Sequence, residues 1–324
     1  MTAQSKIEII MTGPLMAYAA DQLKARFIVH ELWKEQDRAA ALAAVKDRVR
    51  GVAGGGAHVR IDDALFDALP KLEVVSNFGV GYDNVDAVAA GKRGIIVTNT
   101  PDVLTDEVAD LAIGLLLSTV RQLPQVDRYL RAGKWLSGAY PLTTSLRKRK
   151  IGIVGLGRIG KAVARRLEAF DVPIAYHGRS RQADVAYRYY PSLVEMAQDV
   201  DTLVSVAPGG ESTYHIINAE VLKALGPNGI VVNVGRGTVI DEQALIEALK
   251  AKTILSAGLD VFEDEPRVPA ELIAMDHIVL LPHVGSASVH TREQMGQLLV
   301  DNLVSWFDGK GPLTPVAETP WTKA

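Results

Sequence analysis

Short apolar runs and amphipathic stretches alternate along most of this chain. In the first hundred residues the runs Ile7 to Met11, Val74 to Ser76 and Ile95 to Val97 predict strands. Helical patterning around Leu15 to Leu23, Arg38 to Lys46 and Asp62 to Leu69 lies between them. From Lys150 the alternation resumes with clearer punctuation. Strands are predicted at Ile151 to Val154, Ile174 to His177, Thr202 to Val206, Gly229 to Val234, Thr253 to Leu259 and Ile278 to Leu281. Helices near Ile159 to Ala169, Leu193 to Ala197, Ala219 to Leu225 and Glu242 to Leu249 separate them. Strands alternating with helices favour parallel sheets covered on both faces. The predicted fold is therefore α/β, with two Rossmann-like domains.

Thr100-Pro101 halts the first domain, because proline removes a backbone donor and steers its predecessor away from helix. A helix is predicted from Thr105 to Arg121, with Asp106 and Glu107 suited to its first turn. Its apolar face (Val108, Leu111, Ala112, Leu115, Leu116, Val120) suits an interdomain spine or, equally, an ordinary core helix. A last helix, Val289 to Phe307, comes after the second domain has its full strand set, so the chain is expected to cross back to the first. This gives one domain of residues 1–101 and 287–324, built from both chain ends, and a second of residues 102–286. Two crossings can hinge, and the cleft between such domains is the expected active site.

Composition narrows the function classes. With 35 Lys plus Arg against 38 Asp plus Glu, the net charge of -3 points to neither nucleic acid nor an anionic membrane as partner. The absence of cysteine excludes disulfides, thiol nucleophiles and thiolate-held zinc, and no metal is expected. Met1 to Lys6 does not resemble a secretory leader, and the apolar stretch Leu111 to Val120 is too short to span a bilayer. A cytoplasmic protein is expected.

Chemistry enters at Gly155-Leu156-Gly157-Arg158-Ile159-Gly160, a three-glycine turn between a predicted strand and a helix starting near Arg158. Gly155 permits the tight bend, Gly157 lets backbone approach a pyrophosphate, and Gly160 lets helix and strand pack closely. The helix start offers unpaired N–H groups and a positive dipole end to phosphates. A coenzyme that is not phosphorylated on the adenosine ribose calls for a carboxylate about twenty residues on. Here the second strand ends His177-Gly178-Arg179-Ser180-Arg181, with Asp171 before the strand and Asp184 well past it. Two guanidiniums and a hydroxyl suit a 2′-phosphate, so NADP is expected over NAD. His177 there is as well suited to a structural role as to a coenzyme contact.

Three more strand ends are followed by polar residues: Arg236 after Asn233-Val234-Gly235, the acidic run Glu263-Asp264-Glu265 after Asp260, and His283 after Pro282. In open α/β sheets that edge is where ligands bind. The set suits reduction of a 2-oxo acid. A guanidinium holds the carboxylate, an imidazolium gives a proton to the carbonyl oxygen, and a carboxylate on the other ring nitrogen orients the ring and favours its charged form.

These segments carry a resemblance. The glycine turn, Asn233-Val-Gly-Arg-Gly-Thr-Val-Ile-Asp241, Gly258-Leu-Asp-Val-Phe-Glu-Asp-Glu-Pro266 and Leu281-Pro-His-Val-Gly-Ser286 resemble the D-isomer-specific 2-hydroxyacid dehydrogenases. Asn77-Phe-Gly-Val-Gly-Tyr-Asp-Asn-Val-Asp86 and Asn99-Thr-Pro101 match first-domain motifs of that family. Within it the chain resembles most the NADPH-dependent glyoxylate/hydroxypyruvate reductases and the related hydroxyphenylpyruvate reductases. The resemblance implies Arg236 as substrate arginine, His283 as acid/base, and Glu265 as its partner, since its spacing from Arg236 favours it over Glu263. It implies substrate-carboxylate binding by the loop at Val80 and Gly81, a nicotinamide contact from Asp260 with Gly285 beside it, and adenosine-side contacts from Ala207 and Pro208. Val234 and Gly235 join the coenzyme set. Small acids such as glyoxylate and hydroxypyruvate are the expected substrates, and a homodimer is implied. Tyr82, Trp135 and Tyr140 are candidates for an apolar wall, the last two from a partner subunit or as interface packing alone. The alternatives are another 2-oxo acid, a nucleotide-sensing scaffold, or an S-adenosyl-ligand enzyme, which would leave the three polar residues unexplained.

Overall fold

The apolar runs are short enough to need neighbours, and they find them in parallel pairs. The computed structural model describes residues 6–54 and 59–322. The stretch before Lys6, read for a leader, lies outside them. The chain forms two compact units, residues 1–104 with 288–324 and residues 105–287. Both crossings fall later than expected, for local reasons. Leu104 is buried, and Thr105 opens the next helix. The Ser288 hydroxyl accepts the Thr291 N–H at 3.2 Å, so this cap belongs with the helix Val289–Phe307 that it starts.

In the first unit, β1 (Glu8–Met11), β2 (Ile28–Glu31), β3 (Val49–Gly54), β4 (Val74–Asn77) and β5 (Ile96–Thr98) lie in the order β2-β1-β3-β4-β5, all parallel. Strands β2 and β3 were not expected. The first is a half-exposed edge ending in His30 and Glu31, and the second is broken by Arg50, Gly51 and Gly54, so neither presents a continuous apolar run. The helix Val289–Phe307 covers one face, with Leu299, Val300 and Leu303 against Ile9, Met11 and Val74. Phe66, Leu69, Val85 and Ala90 fill the other face together with Val316 from the C-terminal tail.

In the second unit, β6 (Ile151–Val154), β7 (Ile174–His177), β8 (Arg188–Tyr190), β9 (Thr202–Ser205), β10 (Ile230–Asn233), β11 (Ser256–Leu259) and β12 (Val279–Leu280) form a seven-stranded sheet. Its order is β12-β11-β10-β9-β6-β7-β8, and every pair is parallel. Six strands were expected. The additional β8 is a three-residue edge, with Tyr190 buried and the Arg188 guanidinium over its ring, and it carries no aliphatic run to announce it. The strand order reverses beside β6, so the chain leaves a crevice past the carboxyl ends of β6, β9 and β10.

The helix Thr105–Arg121 packs on β11, where a Cβ on Gly258 would lie 2.3 Å from Thr119 Oγ1. It is a core helix of the second unit. A further helix, Leu123–Arg131, follows it and was not expected. Among the described residues no helix is long and apolar enough to cross a membrane.

Candidate active site and coenzyme cradle

The turn after β6 is built on glycines that do different work. Gly155 has φ 93°, and a Cβ there would sit 2.9 Å from Ala207 Cα. A Cβ on Gly160 would meet the Gly155 carbonyl oxygen at 2.2 Å, so glycine alone lets the helix Arg158–Glu168 lie against its own turn. Gly157 is another case. Its φ of -78° suits any residue, and among the described residues no atom other than those of its chain neighbours comes within 4 Å of where a Cβ would stand. Neither conformation nor packing asks for glycine there. The bare backbone instead keeps room beside the first-turn N–H groups, which fits a pyrophosphate.

Beyond β7, His177 Nδ1 lies 2.9 Å from the Tyr190 carbonyl oxygen, so this histidine ties β7 to β8. Asp184 pairs with Lys161 at 2.6 Å. The Gln182 backbone N–H donates to the Tyr176 hydroxyl at 2.7 Å, and its side-chain amide donates to the Leu156 carbonyl at 2.5 Å. Gln182 thus fastens the turn holding Gly178, Arg179, Ser180 and Arg181 to the glycine loop. Sequence reasoning did not single it out, because one bond uses only its backbone N–H and the other reaches a backbone carbonyl 26 residues away. Arg179 and Arg181 are exposed and have no hydrogen-bond or ion-pair partner among the described residues. Their guanidiniums can turn to an incoming dianion without breaking an existing bond.

At the end of β10, the buried Asn233 clamps the next turn. Its Oδ1 accepts the Gly235 N–H at 3.1 Å and its Nδ2 donates to the Arg236 carbonyl at 2.9 Å. Gly235 is pressed so close to Ala207 that a Cβ would lie 2.4 Å from the Ala207 carbonyl oxygen. The turn therefore fixes where Arg236 leaves the sheet, with its Nη1 donating to the Gly235 carbonyl at 2.8 Å. Across the crevice, Pro208 accepts from the Thr213 hydroxyl at 2.7 Å.

Asp260, at the end of β11, is fully buried. Its two carboxylate oxygens accept the N–H groups of Val284 and Gly285 at 2.7 and 2.8 Å, and its main-chain carbonyl accepts the His283 N–H at 2.8 Å. Burial pushes its carboxyl above the usual range, against the lowering by the Val284 N–H, the His283 charge and the Gly285 N–H. These three bonds hold His283 with φ 53°, in the left-handed region. The imidazole then meets Glu265 through Nδ1, 2.6 Å from Oε2, while Oε1 of the same carboxylate accepts the Phe262 N–H at 3.1 Å. The carboxylate requires the proton on Nδ1, which leaves Nε2 as the edge for a substrate. Glu265 lies deeper than His283, with side-chain exposures of 17% and 38%, so the ring is the outward member of the pair. Glu263 turns instead to His215 Nε2 at 2.9 Å, and Tyr214 donates to it at 3.3 Å.

In the first unit, the loop after β4 is pinned by side-chain amides. Asn99 donates to the Val80 carbonyl at 2.8 Å and Asn77 to the Gly81 carbonyl at 3.0 Å. The Thr100 hydroxyl accepts from the Gly79 N–H at 3.1 Å. In planar trans peptides the N–H points opposite the carbonyl, so the Gly81 and Tyr82 N–H groups face away from these anchors. Among the aromatic candidates, Tyr140 donates to Gln122 at 2.8 Å and stacks edge-on with Tyr129. Trp135 is exposed.

A glycine cradle at the strand reversal, with an arginine and a carboxylate-backed histidine on nearby strand ends, defines a dinucleotide-dependent oxidoreductase. Residues 113–285 match the D-isomer specific 2-hydroxyacid dehydrogenase NAD-binding domain, and the chain belongs to that family. It is 47% identical over 310 residues to glyoxylate/hydroxypyruvate reductase A of Arabidopsis thaliana, covering 96% of this chain and 99% of that protein. To hydroxyphenylpyruvate reductase of Plectranthus scutellarioides it is 48% identical, with the same coverage. Among solved structures it is similar to an NADPH-dependent glyoxylate/hydroxypyruvate reductase from Sinorhizobium meliloti in complex with NADP and malonate. The identity is 51% and the TM-score 0.94, with 99% of each chain covered.

The Asp260 bonds generate a direct expectation. In Asp260→Asn the amide turns a donor toward one of the two backbone N–H groups. Stability in urea denaturation should fall by about 1–3 kcal/mol, together with kcat; unchanged stability would show that the His283 loop is held by other groups.

Proposed function

We propose that the protein reduces a small 2-oxo acid, glyoxylate or hydroxypyruvate, to the D-2-hydroxy acid with NADPH. The observation that carries this reading is the His283–Glu265 pair, fixed through Asp260 on the edge that also carries the glycine cradle and Arg236. Arg236 would hold the substrate carboxylate and polarise the adjacent carbonyl through paired planar donors. The N–H groups of the Val80–Gly81 loop would share the carboxylate. The coenzyme, when bound, contributes a hydride for the carbonyl carbon. His283 Nε2 would give the carbonyl oxygen its proton, and Glu265 would stabilise the ring while it is charged.

Gly155 to Gly160, with Val234, Gly235 and Ala207, would line the coenzyme. Asp260 has acceptor capacity beyond its two backbone bonds; because it is fully buried, it would meet a carboxamide only once the segment covering it shifts, with Gly285 at that end. Arg179, Ser180 and Arg181 would take the 2′-phosphate, a reading supported by the two exposed guanidiniums, unpartnered among the described residues, and by the NADP bound to the Sinorhizobium meliloti reductase. A cytoplasmic homodimer completes the reading. Its support is the exposed apolar set Leu123, Leu130, Trp135, Leu136 and Leu142 on and after the helix Leu123–Arg131.

The direct test is loss of NADPH absorbance with glyoxylate, hydroxypyruvate and hydroxyphenylpyruvate. Turnover of the two small acids is expected; a clear preference for hydroxyphenylpyruvate would move the substrate assignment, and no turnover of any would overturn it. His283→Ala should lower kcat by roughly 10²–10⁴-fold, and retained turnover would place the proton donor elsewhere. Replacing Arg179 and Arg181 with alanine should reduce the NADPH-over-NADH ratio by about tenfold or more without lowering the melting temperature. An enzyme that prefers NADH from the outset would refute the coenzyme assignment. In sedimentation, Trp135→Glu with Leu136→Glu should turn a dimer into a monomer; a monomeric parent protein would remove the dimer from the reading.

A further inference from the structure

The C-terminal tail runs along the free edge of β5 and is fastened at several points. The Asn302 carboxamide oxygen accepts the N–H groups of Leu313 and Thr314 at 2.9 and 3.0 Å. Thr314 in turn bonds Asn99, its hydroxyl donating to the Asn99 carbonyl at 2.6 Å. Pro315 bridges Thr98 in antiparallel register, and the Val316 N–H donates to the Val97 carbonyl at 2.9 Å. Val316 is buried in the same core that Tyr82 packs against. The Thr319 hydroxyl spans the backbone of Val97, accepting its N–H at 3.0 Å and donating to its carbonyl at 3.2 Å. A Cβ on Gly91 would lie 2.8 Å from the Glu318 carbonyl oxygen, so the tail is seated against the helix Ala87–Lys92 without slack.

Between these anchors Glu318 is exposed and does nothing for the core. Its carboxylate meets the Tyr82 hydroxyl, which donates at 3.0 Å. Tyr82 follows Gly81, and its own N–H belongs to the peptide whose carbonyl Asn77 holds. Asn99, which holds the Val80 carbonyl, is itself bonded to the tail through Thr314. The tail thus reaches the carboxylate loop by two routes, one through Asn99 and one through Tyr82. Burial and the Glu318 carboxylate together push the Tyr82 phenol up to about 12, so it stays a donor across the working pH range.

We propose that the C-terminal tail is a positioning element for the substrate-carboxylate loop, with Glu318 acting through the Tyr82 hydroxyl to hold the Gly81 and Tyr82 N–H groups in place. Both are positioning residues, and the proposal rests on the reading that this loop binds the substrate carboxylate. Loss of the bond loosens the loop in the free enzyme. Binding of the 2-oxo acid then has to order it again, which weakens KM for the acid while leaving the chemistry and the coenzyme site alone.

The test compares Glu318→Ala, Glu318→Gln, Tyr82→Phe, the Glu318→Ala/Tyr82→Phe double variant and Asn99→Ala with the parent enzyme, by steady-state kinetics in the acid and in NADPH. Glu318→Ala and Tyr82→Phe should each raise KM for the acid by about five- to tenfold, with kcat within about twofold and KM for NADPH unchanged. Glu318→Gln should restore most of the loss, because its amide oxygen still accepts from the phenol. The double variant should be no worse than either single one, since both remove one interaction. A parental KM in Glu318→Ala, additive losses in the double variant, or a parallel change in both KM values and kcat would overturn the latch. Asn99→Ala separates the two levels. If it leaves KM for the acid unmoved, the loop is not the carboxylate site; if it raises KM while Glu318→Ala does not, the loop assignment stands and the latch alone fails.

Discussion

The site depends on one buried carboxylate. Asp260 has no contact with solvent, and two backbone N–H groups and the neighbouring His283 are what stabilise its charge there. A buried carboxylate left without such partners would be strongly penalised. Because its partners are main-chain groups of Val284 and Gly285, satisfying Asp260 also dictates the path of the segment after β12. That path places the His283 backbone in the left-handed region and turns its ring toward Glu265. The electrostatic requirement of one residue thereby becomes the geometry of another.

The same contrast between fixed and loose polar groups runs through the second unit. Arg149 is buried, and the two hydrogens of its Nη1 are shared among the Asp201 carbonyl and carboxylate, the Thr202 hydroxyl and the Asn228 carbonyl, gathering the starts of β6, β9 and β10. Arg179 and Arg181 sit at the opposite ends of the strands, exposed and without a hydrogen-bond or ion-pair partner among the described residues. The guanidinium at the strand starts is spent on structure, whereas those of Arg179 and Arg181 keep their donors unspent among the described residues. Exposed charges held in place by internal ion pairs would first have to release them.

Much of this was legible in the sequence, where local chemistry and global role coincide. The glycine turn, the six apolar runs of the second unit and the segments bearing Arg236, Glu265 and His283 each carry their signal within a few residues. The choice of Glu265 over Glu263 is implied by the family resemblance, whose spacing from Arg236 it suits, and the structure gives each acid its own histidine. What escaped was whatever depends on strand pairing or on a backbone group as partner. Strands β2, β3 and β8 are edges or glycine-broken segments whose pairing, rather than composition, makes them strands. Gln182 and the clamping roles of Asn77 and Asn99 depend on backbone carbonyls that no local pattern reveals. His177 stood open between ligand and scaffold until β8 appeared beside it.

The first unit closes on itself only with the end of the chain, because Leu299, Val300, Leu303 and Val316 complete its two faces. Residues 105–287, by contrast, are contiguous. On the ribosome, where domains fold as they emerge, the middle of this polypeptide has all its parts before the beginning does. The amino-terminal strands must wait, half covered, through the synthesis of nearly two hundred further residues. Their exposure to chaperones and to aggregation is set by translation time rather than by their own folding rate.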